Sequence, residues 1–245
     1  RDVPAAYDVS IVIPCYNEEA ILEDSVEEIA CVMDQTRYSW EMVFIDDKSQ
    51  DQTPLLLNKL VANRPNARAI FHQQNVGRGG TASEGLSVAQ GRVVGFLDID
   101  LEVHARYIPT MVQAIDNGYA VATAQRIYRV PLKWDDLFRN LLSVGYRWLV
   151  RHYLKLPFED TEAGLKFFRA ESIHPLLQTA RSKGWFWDTE IMALAHQAKL
   201  RVIEIPCVFV RRFDKVSTVR PFKDSWAYLI ALMEFKRRAG TPAEP

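Results

Sequence analysis

Four short apolar, β-prone runs recur through the first hundred residues, at Val9 to Ile13, Trp40 to Ile45, Ala67 to Phe71 and Val93 to Leu97, separated by stretches of helical period. Strands joined by crossovers of helix length cannot pair as hairpins, so the alternation predicts an α/β domain with a mostly parallel sheet and helices on both faces. Pro14 is expected to stop the first strand, and a helix is expected from Glu18 to about Met33. Asp51-Gln52-Thr53 offers a cap and first turn for a second helix reaching about Asn63. The glycine-rich Asn75 to Gly80 leads into a third helix, which Gly91 should close. In such sheets ligands gather at the carboxyl ends of the strands. Asp46, Asp47, Asp98 and Asp100 each follow an apolar run and are therefore expected in one crevice.

The second half reads differently. Leu132 to Leu156 is a long helical stretch in which Trp134, Phe138, Tyr146, Trp148 and Tyr153 alternate with Lys133, Arg139, Arg147, Arg151 and Lys155. A loop, Pro157 to Ala163, leads to a strand from Leu165 to Phe168. Helices near Glu171 to Ala180 and Thr189 to Ala198 precede a strand pair around Val202 to Val210, and Ser225 to Arg238 reads as a final helix. The expected organisation is a single domain over 1–245. Residues 8–130, which carry the four strand-end aspartates, form its first half, 131–238 its second half and 239–245 a disordered tail.

With 48% hydrophobic residues in 245, the chain can bury a substantial core. Its net charge of −1 argues against nucleic acid as a partner. Cys15, Cys31 and Cys207, odd in number and widely spaced, read as reduced thiols in a cytoplasmic protein. No apolar run approaches the ~18 residues of a spanning helix.

Two carboxylates separated by one residue lie on the same side of an extended backbone, where they can share a divalent cation. Asp98 and Asp100 have this spacing, with Glu102 as a further ligand directly or through water. A solvated acidic turn is the bland alternative, and the apolar strand immediately before the pair favours the metal. Of Asp46 and Asp47, one is expected to cap the following turn through Ser49 and Asp51 and the other to accept from a base or ribose. Gly77 to Gly80 permits close backbone approach but has neither the P-loop nor the dinucleotide spacing. The five histidines show no metal-ligand spacing.

Together, Ile11-Val12-Ile13-Pro14-Cys15-Tyr16-Asn17-Glu18-Glu19, Phe44-Ile45-Asp46-Asp47, Asn75-Val76-Gly77-Arg78-Gly79-Gly80 and Asp98-Ile99-Asp100 resemble glycosyltransferase family 2, whose members have the GT-A fold. Asp160-Thr161-Glu162-Ala163-Gly164-Leu165-Lys166-Phe167-Phe168 and Trp185-Phe186-Trp187-Asp188-Thr189-Glu190 resemble its polyprenyl-phosphate branch, the dolichyl-phosphate glucose and mannose synthases. The resemblance implies that Pro14, Tyr16, Glu18 and Asp47 line the base and ribose pocket, with Arg78 nearby. Asp98 and Asp100 would hold Mg²⁺ or Mn²⁺ against the diphosphate, with Glu102 where relatives carry a third polar residue. Asp160 would be the catalytic carboxylate. Glu190 is either catalytic support or a helix-start carboxylate, and Trp185 and Trp187 either stack on sugar or pack in the core. The branch also carries a late F-x-x-R-x-x-G-x-S-K motif that binds phosphate. Phe209, Arg212 and Ser217 match it, Lys215 replaces the glycine and Thr218 the lysine, with Lys215 or Arg220 as substitutes for the lost charge.

The expected function is inverting transfer of a hexose from UDP-glucose or GDP-mannose to a polyprenyl phosphate. A soluble or glycan hydroxyl acceptor and a catalytically silent nucleotide-sugar-binding module are the alternatives. Many relatives end in transmembrane helices. Here Leu132 to Leu156 and Trp226 to Phe235, the latter followed by Lys236, Arg237 and Arg238, have the composition of interfacial helices, or equally of core helices with solvated charges. The enzyme is thus expected peripherally on the cytoplasmic membrane face.

Overall fold

The computed structural model describes residues 5–128, 151–211 and 221–239. Its described strands are β1 Tyr7–Cys15, β2 Trp40–Asp46, β3 Ala67–Phe71, β4 Gly91–Leu97, β5 Val121–Tyr128, β6 Leu165–Arg169 and β7 Val202–Phe209. They form one sheet in the order β3-β2-β1-β4-β6-β5-β7. The first four are mutually parallel; β6 runs antiparallel to β4 and β5, and β7 returns parallel to β5. Because β6 is reversed, the loop that precedes it emerges at the same sheet edge as the carboxyl ends of the other strands. Asp160 to Gly164 is thereby brought beside Asp98, whose N–H donates to Gly164 O at 2.9 Å.

Side chains alternate across each strand, so the sheet separates two cores. Val9, Ile11, Ile13, Met42, Phe44, Val93 and Leu97 face one side, where α1 (Leu22–Asp34) and α4 (Ile108–Asp116) cover them. Leu22, Val26, Ile29 and Met33 recur at helical spacing and are fully buried, giving α1 the apolar stripe that such a cover requires. Val12, Val43, Ile45, Val94 and Phe96 face the other side. There α3 (Arg78–Val88), α5 (Ala170–Thr179), α6 (Trp187–Gln197) and α7 (Pro221–Ala239) pack. Helix α2 (Thr53–Ala62) contributes Leu57 to the first core.

Several boundaries differ from expectation for local reasons. β1 continues through Pro14 to Cys15, since Pro14 is in register with Ile45 but lies beyond the pairing with β4, which ends at Val12 and Phe96. Helix α1 begins at Leu22 rather than Glu18: residues 19–21 form a turn in which Ile21 and Leu22 N–H donate to Glu18 O, while Glu18 N–H donates to Thr53 Oγ1 and Glu19 N–H to Asp51 Oδ2. Gly91 opens β4 rather than closing α3. Its N–H donates to Ser10 Oγ at 2.7 Å, and a Cβ there would lie 2.6 Å from Ser10 N. The expected strand pair near Val202 to Val210 is one strand, β7. Of the stretch Leu132 to Leu156, residues 132–150 lie outside the described residues, as does the tail 240–245; residues 151–154 are helical. No described helix is long and apolar enough to cross a membrane.

Candidate functional site

The carboxyl ends of β1, β2 and β4 and the amino end of α3 enclose a cavity of about 650 Å³. Pro14, Tyr16, Glu18, Asp47, Arg78, Asp98 and Asp100 line it together, closed on the far side by Ser182 to Phe186 and by Ala227, Tyr228 and Ala231 of α7. The two loops that supply Tyr16 and Asp47 are cross-linked. Asn17, at φ +57°, donates its N–H to Ser49 Oγ at 2.9 Å and accepts Gln50 N–H on Oδ1 at 2.8 Å. Asp46 turns away and accepts Ser49 N–H, which makes it the capping member of its pair. Asp47 lines the cavity, but its carboxylate is committed to the glycine-rich loop. Oδ1 accepts Val76 N–H at 2.8 Å, Oδ2 accepts Gly77 N–H at 2.9 Å, and His72 Nδ1 sits 2.8 Å away. Gly77, at φ +89°, presents its N–H there in a conformation that side chains resist. His72 also meets Glu84 at 2.9 Å; burial depresses its pKa, and the bonds to Asp47 and Glu84 outweigh that and raise it.

At the end of β4, Asp98 is gripped by Arg78, whose Nη2 lies 2.8 and 3.0 Å from its two oxygens and whose Nε lies 3.1 Å from one of them. Arg78 is also paired with Asp188, and its guanidinium faces the rings of Phe96 and Trp185. Burial raises the pKa of Asp98, assisted by Asp100 and opposed by Arg78. Gly164 packs directly on this carboxylate, where a Cβ would stand 1.9 Å from Oδ2. Asp100 lines the same cavity and accepts Glu102 N–H at 3.2 Å.

Leu101, at φ +53°, turns the chain away after Asp100, and Glu102 O accepts Val210 N–H. Glu102 is therefore not among the residues lining the cavity. Among the described residues no three His, Cys, Asp or Glu side chains form a metal cluster, so Glu102 does not complete a set with Asp98 and Asp100. Two hard carboxylate ligands with the remaining positions open nevertheless suit Mg²⁺ or Mn²⁺, which commonly take few protein oxygens and fill their shell from phosphate and water.

Asp160 and Glu190 also lie away from the cavity lining. Asp160 is 1% exposed and clamped by Arg126, at 2.7 and 2.9 Å to the two oxygens, with Arg126 N–H at 3.1 Å. Burial alone would raise its pKa, but the bonds and charge of Arg126 hold it below the usual carboxylate value. Its neighbour Glu162 behaves oppositely: burial dominates and pushes it up to about 7, Arg126 opposing and Asp160 adding to the rise. Glu190, fully buried in the first turn of α6, accepts the N–H groups of Arg181 and Ser182 and pairs with Arg238, a structural set of partners. Trp187 is a core residue, donating Nε1–H to Ser83 Oγ, whereas Trp185 is 41% exposed on the cavity wall. Arg212, Lys215, Ser217 and Arg220 fall outside the described residues.

The reading of the sequence missed Asp188 and Lys166. Lys166, fully buried in β6, donates to Asp188 Oδ1 at 2.8 Å and to Ala163 O at 2.5 Å. Burial lowers its pKa and Asp188 counters the fall. The three cysteines are free, as expected; Cys15 and Cys207 are buried and Cys31 is exposed.

The reversed β6 strand, the mostly parallel sheet and the acidic end of β4 together define a GT-A glycosyltransferase scaffold. Residues 10–176 match the model for glycosyl transferase family 2, and the chain belongs to that family. It is 29% identical over 220 residues to a glycosyltransferase of Haloferax volcanii, AglD, covering 88% of this chain and 35% of that one. It is 28% identical to the dolichyl-phosphate β-glucosyltransferase of Saccharomyces cerevisiae, covering 81% and 65%. With the undecaprenyl-phosphate 4-deoxy-4-formamido-L-arabinose transferase of Edwardsiella ictaluri it shares 30% identity, covering 83% and 60%. The chain thus spans only about a third to two thirds of these relatives' lengths. In fold it is similar to glucosyl-3-phosphoglycerate synthase of Mycobacterium tuberculosis solved with UDP, at a TM-score of 0.67 and 19% identity, covering 98% of this chain and 83% of that one.

Proposed function

We propose that this chain transfers a hexose, with inversion, from a nucleoside-diphosphate sugar to a polyprenyl phosphate at a membrane surface. The observation that carries the reading is the convergence of Asp98 and Asp100 with Tyr16, Asp47 and Arg78 on one cavity large enough for a nucleotide sugar. Tyr16, Pro14 and Glu18 would surround the base and ribose, with Asp47 shaping the loop beside them. Asp98 and Asp100 would hold Mg²⁺ or Mn²⁺, which supplies neutralisation of the charge that builds on the leaving diphosphate. Related structures carry Mn²⁺ or Mg²⁺ together with UDP. UDP-glucose is the favoured donor and GDP-mannose the competitor.

The acceptor attacks the face of the anomeric carbon opposite the diphosphate. A phosphate monoester is already largely ionised near neutral pH and needs no strong base. That suits Asp160, whose ion pair with Arg126 leaves it a poor proton acceptor. Arg212, Lys215, Ser217 and Arg220 are proposed to bind the acceptor phosphate. Helix α7 supports a peripheral membrane position. Tyr228, Leu232 and Phe235 are buried beneath it, while Trp226, Ile230 and Met233 form an exposed apolar stripe ahead of Lys236, Arg237 and Arg238.

A hydroxyl acceptor, the second reading, would need a proton acceptor; Glu162, at about 7, titrates in the right range but does not line the cavity. The deciding experiment measures transfer from radiolabelled UDP-glucose and GDP-mannose to a short-chain polyprenyl phosphate, with and without Mn²⁺. Metal-dependent formation of lipid-linked sugar is expected. Equal turnover without lipid phosphate, and loss of that turnover in Glu162→Gln, would transfer the assignment to a hydroxyl acceptor.

A further inference from the structure

The charges behind Asp98 form a chain in which cation and carboxylate alternate: Lys166, Asp188, Arg78, Asp98. Lys166 and Asp188 are 0% and 2% exposed and satisfy each other at 2.8 Å. Asp188 then holds one end of the Arg78 guanidinium, and the other end engages both oxygens of Asp98. Asp98 differs from the inner members in being 35% exposed and open to the cavity. Arg78 lies on the same cavity wall, with Trp185 on the open side of its guanidinium.

A carboxylate whose two oxygens are engaged by a guanidinium is a weak ligand for a divalent cation, because both seek the same lone pairs. A diphosphate in this cavity offers Arg78 alternative oxygens, and a guanidinium engages phosphate as readily as carboxylate. We propose that Arg78 competes with the divalent cation for Asp98, and that the donor's diphosphate relieves the competition by taking Arg78 over. Asp188, neutralised on its inner side by Lys166, is the positioning residue that keeps Arg78 within reach of both partners. Nucleotide and cation then bind with positive coupling, each tightening the other by the same factor. The inference rests on the donor-site reading above and adds an order to it: the cation enters with the nucleotide, not ahead of it.

The test is Mn²⁺ binding to the full chain, followed by the electron paramagnetic resonance signal of the free ion, with and without UDP. Arg78→Gln is the informative variant, since Lys166 still neutralises Asp188 when the guanidinium is gone. Arg78→Lys keeps the charge should the glutamine variant fail to fold, and thermal melts report folding for both. Wild type is expected to bind Mn²⁺ weakly alone and roughly tenfold or more tightly with UDP, the scale of typical coupling between sites. Arg78→Gln is expected to bind Mn²⁺ alone about tenfold more tightly than wild type and to show a correspondingly smaller UDP enhancement, the remainder coming from the diphosphate's own bonds to the cation. Arg78→Lys, which meets Asp98 through a single point charge, is expected to fall between them. Folded Arg78→Gln with wild-type Mn²⁺ affinity and an intact UDP enhancement overturns the proposal. If Arg78→Gln cannot be folded, Arg78→Lys indistinguishable from wild type overturns it. UDP that binds calorimetrically while Mn²⁺ binds to no variant, with or without UDP, defeats both the competition and the metal role but leaves the nucleotide site standing. Absence of UDP binding as well defeats the donor-site reading itself.

Discussion

Two aspartates at the same sheet edge, Asp98 at the end of β4 and Asp160 in the loop before β6, are each gripped by an arginine, and their surroundings give them different properties. Asp98 is 35% exposed, lines the cavity and shares Arg78 with Asp188, and its pKa is raised. Asp160 is 1% exposed, has Arg126 wrapped around both oxygens and the Arg126 N–H besides, and its pKa is lowered. The first is an ion pair open to exchange with an incoming ligand. The second is a clamp that ties the β6-side loop to β5. The contrast teaches that a motif carboxylate is assigned a role by what already occupies its lone pairs, not by its place in the motif.

The largest expected effect breaks the clamp. Asp160→Leu leaves the Arg126 charge, 15% exposed, without its main partner and should cost about 3–5 kcal/mol in urea unfolding. Asp98→Asn should stay within about 1 kcal/mol of wild type, because Arg78 keeps Asp188 and Asp98 is part-exposed. Comparable losses in the two variants would erase the distinction.

Next in size is Gly164→Ala, whose new methyl would collide with Asp98 Oδ2. Overpacking of this kind costs about 1–3 kcal/mol, and Mn²⁺-dependent UDP binding should weaken with it, as calorimetry would show. Unchanged binding would mean that Gly164 does not set the position of Asp98.

The smallest effect is a pH dependence. The folded pKa of Glu162, about 7, lies above its ordinary 4.5, so the native chain holds a proton that the unfolded chain releases between those values. Its contribution is present below pH 4.5 and is lost as pH rises toward 7. The full shift would be worth about 3 kcal/mol, which solvent at a side chain 26% exposed screens to about 1, so Glu162→Gln, which cannot ionise, should melt about 2–4 °C above wild type at pH 8 and level with it at pH 4. Equal melting temperatures at both pH values would show that Glu162 is not perturbed.

The parallel half of the sheet was legible because β1, β2 and β4 are largely buried on both faces and read as continuous apolar runs, with the half-buried edge strand β3 carrying a shorter one. Strand β5 escaped notice because Thr123, Gln125 and Arg126 interrupt it. Helix α4 did carry a readable signal, Ile108, Met111, Val112 and Ile115 at helical spacing behind Pro109. Asp47, Asp98 and Asp100 could be read because each sits at a strand end, where topology alone forces convergence, whereas Tyr16 and Arg78 were legible only through the family resemblance of their motifs. Asp188 could not, since it meets Arg78 across 110 residues of chain. Lys166 sits in a strand pattern that gives no sign of a buried ammonium. The partner of Asp160 could not be read, because Arg126 lies on the strand that went unread.

Calorimetric titration of UDP into wild type and Asp100→Asn, each with Mn²⁺ and with a chelator, tests the cation-bridged donor site at its root. Mn²⁺ should tighten UDP binding at least about tenfold in wild type and have no effect in Asp100→Asn. Equal UDP affinity with and without Mn²⁺ in wild type, or full enhancement surviving in Asp100→Asn, would contradict the assignment.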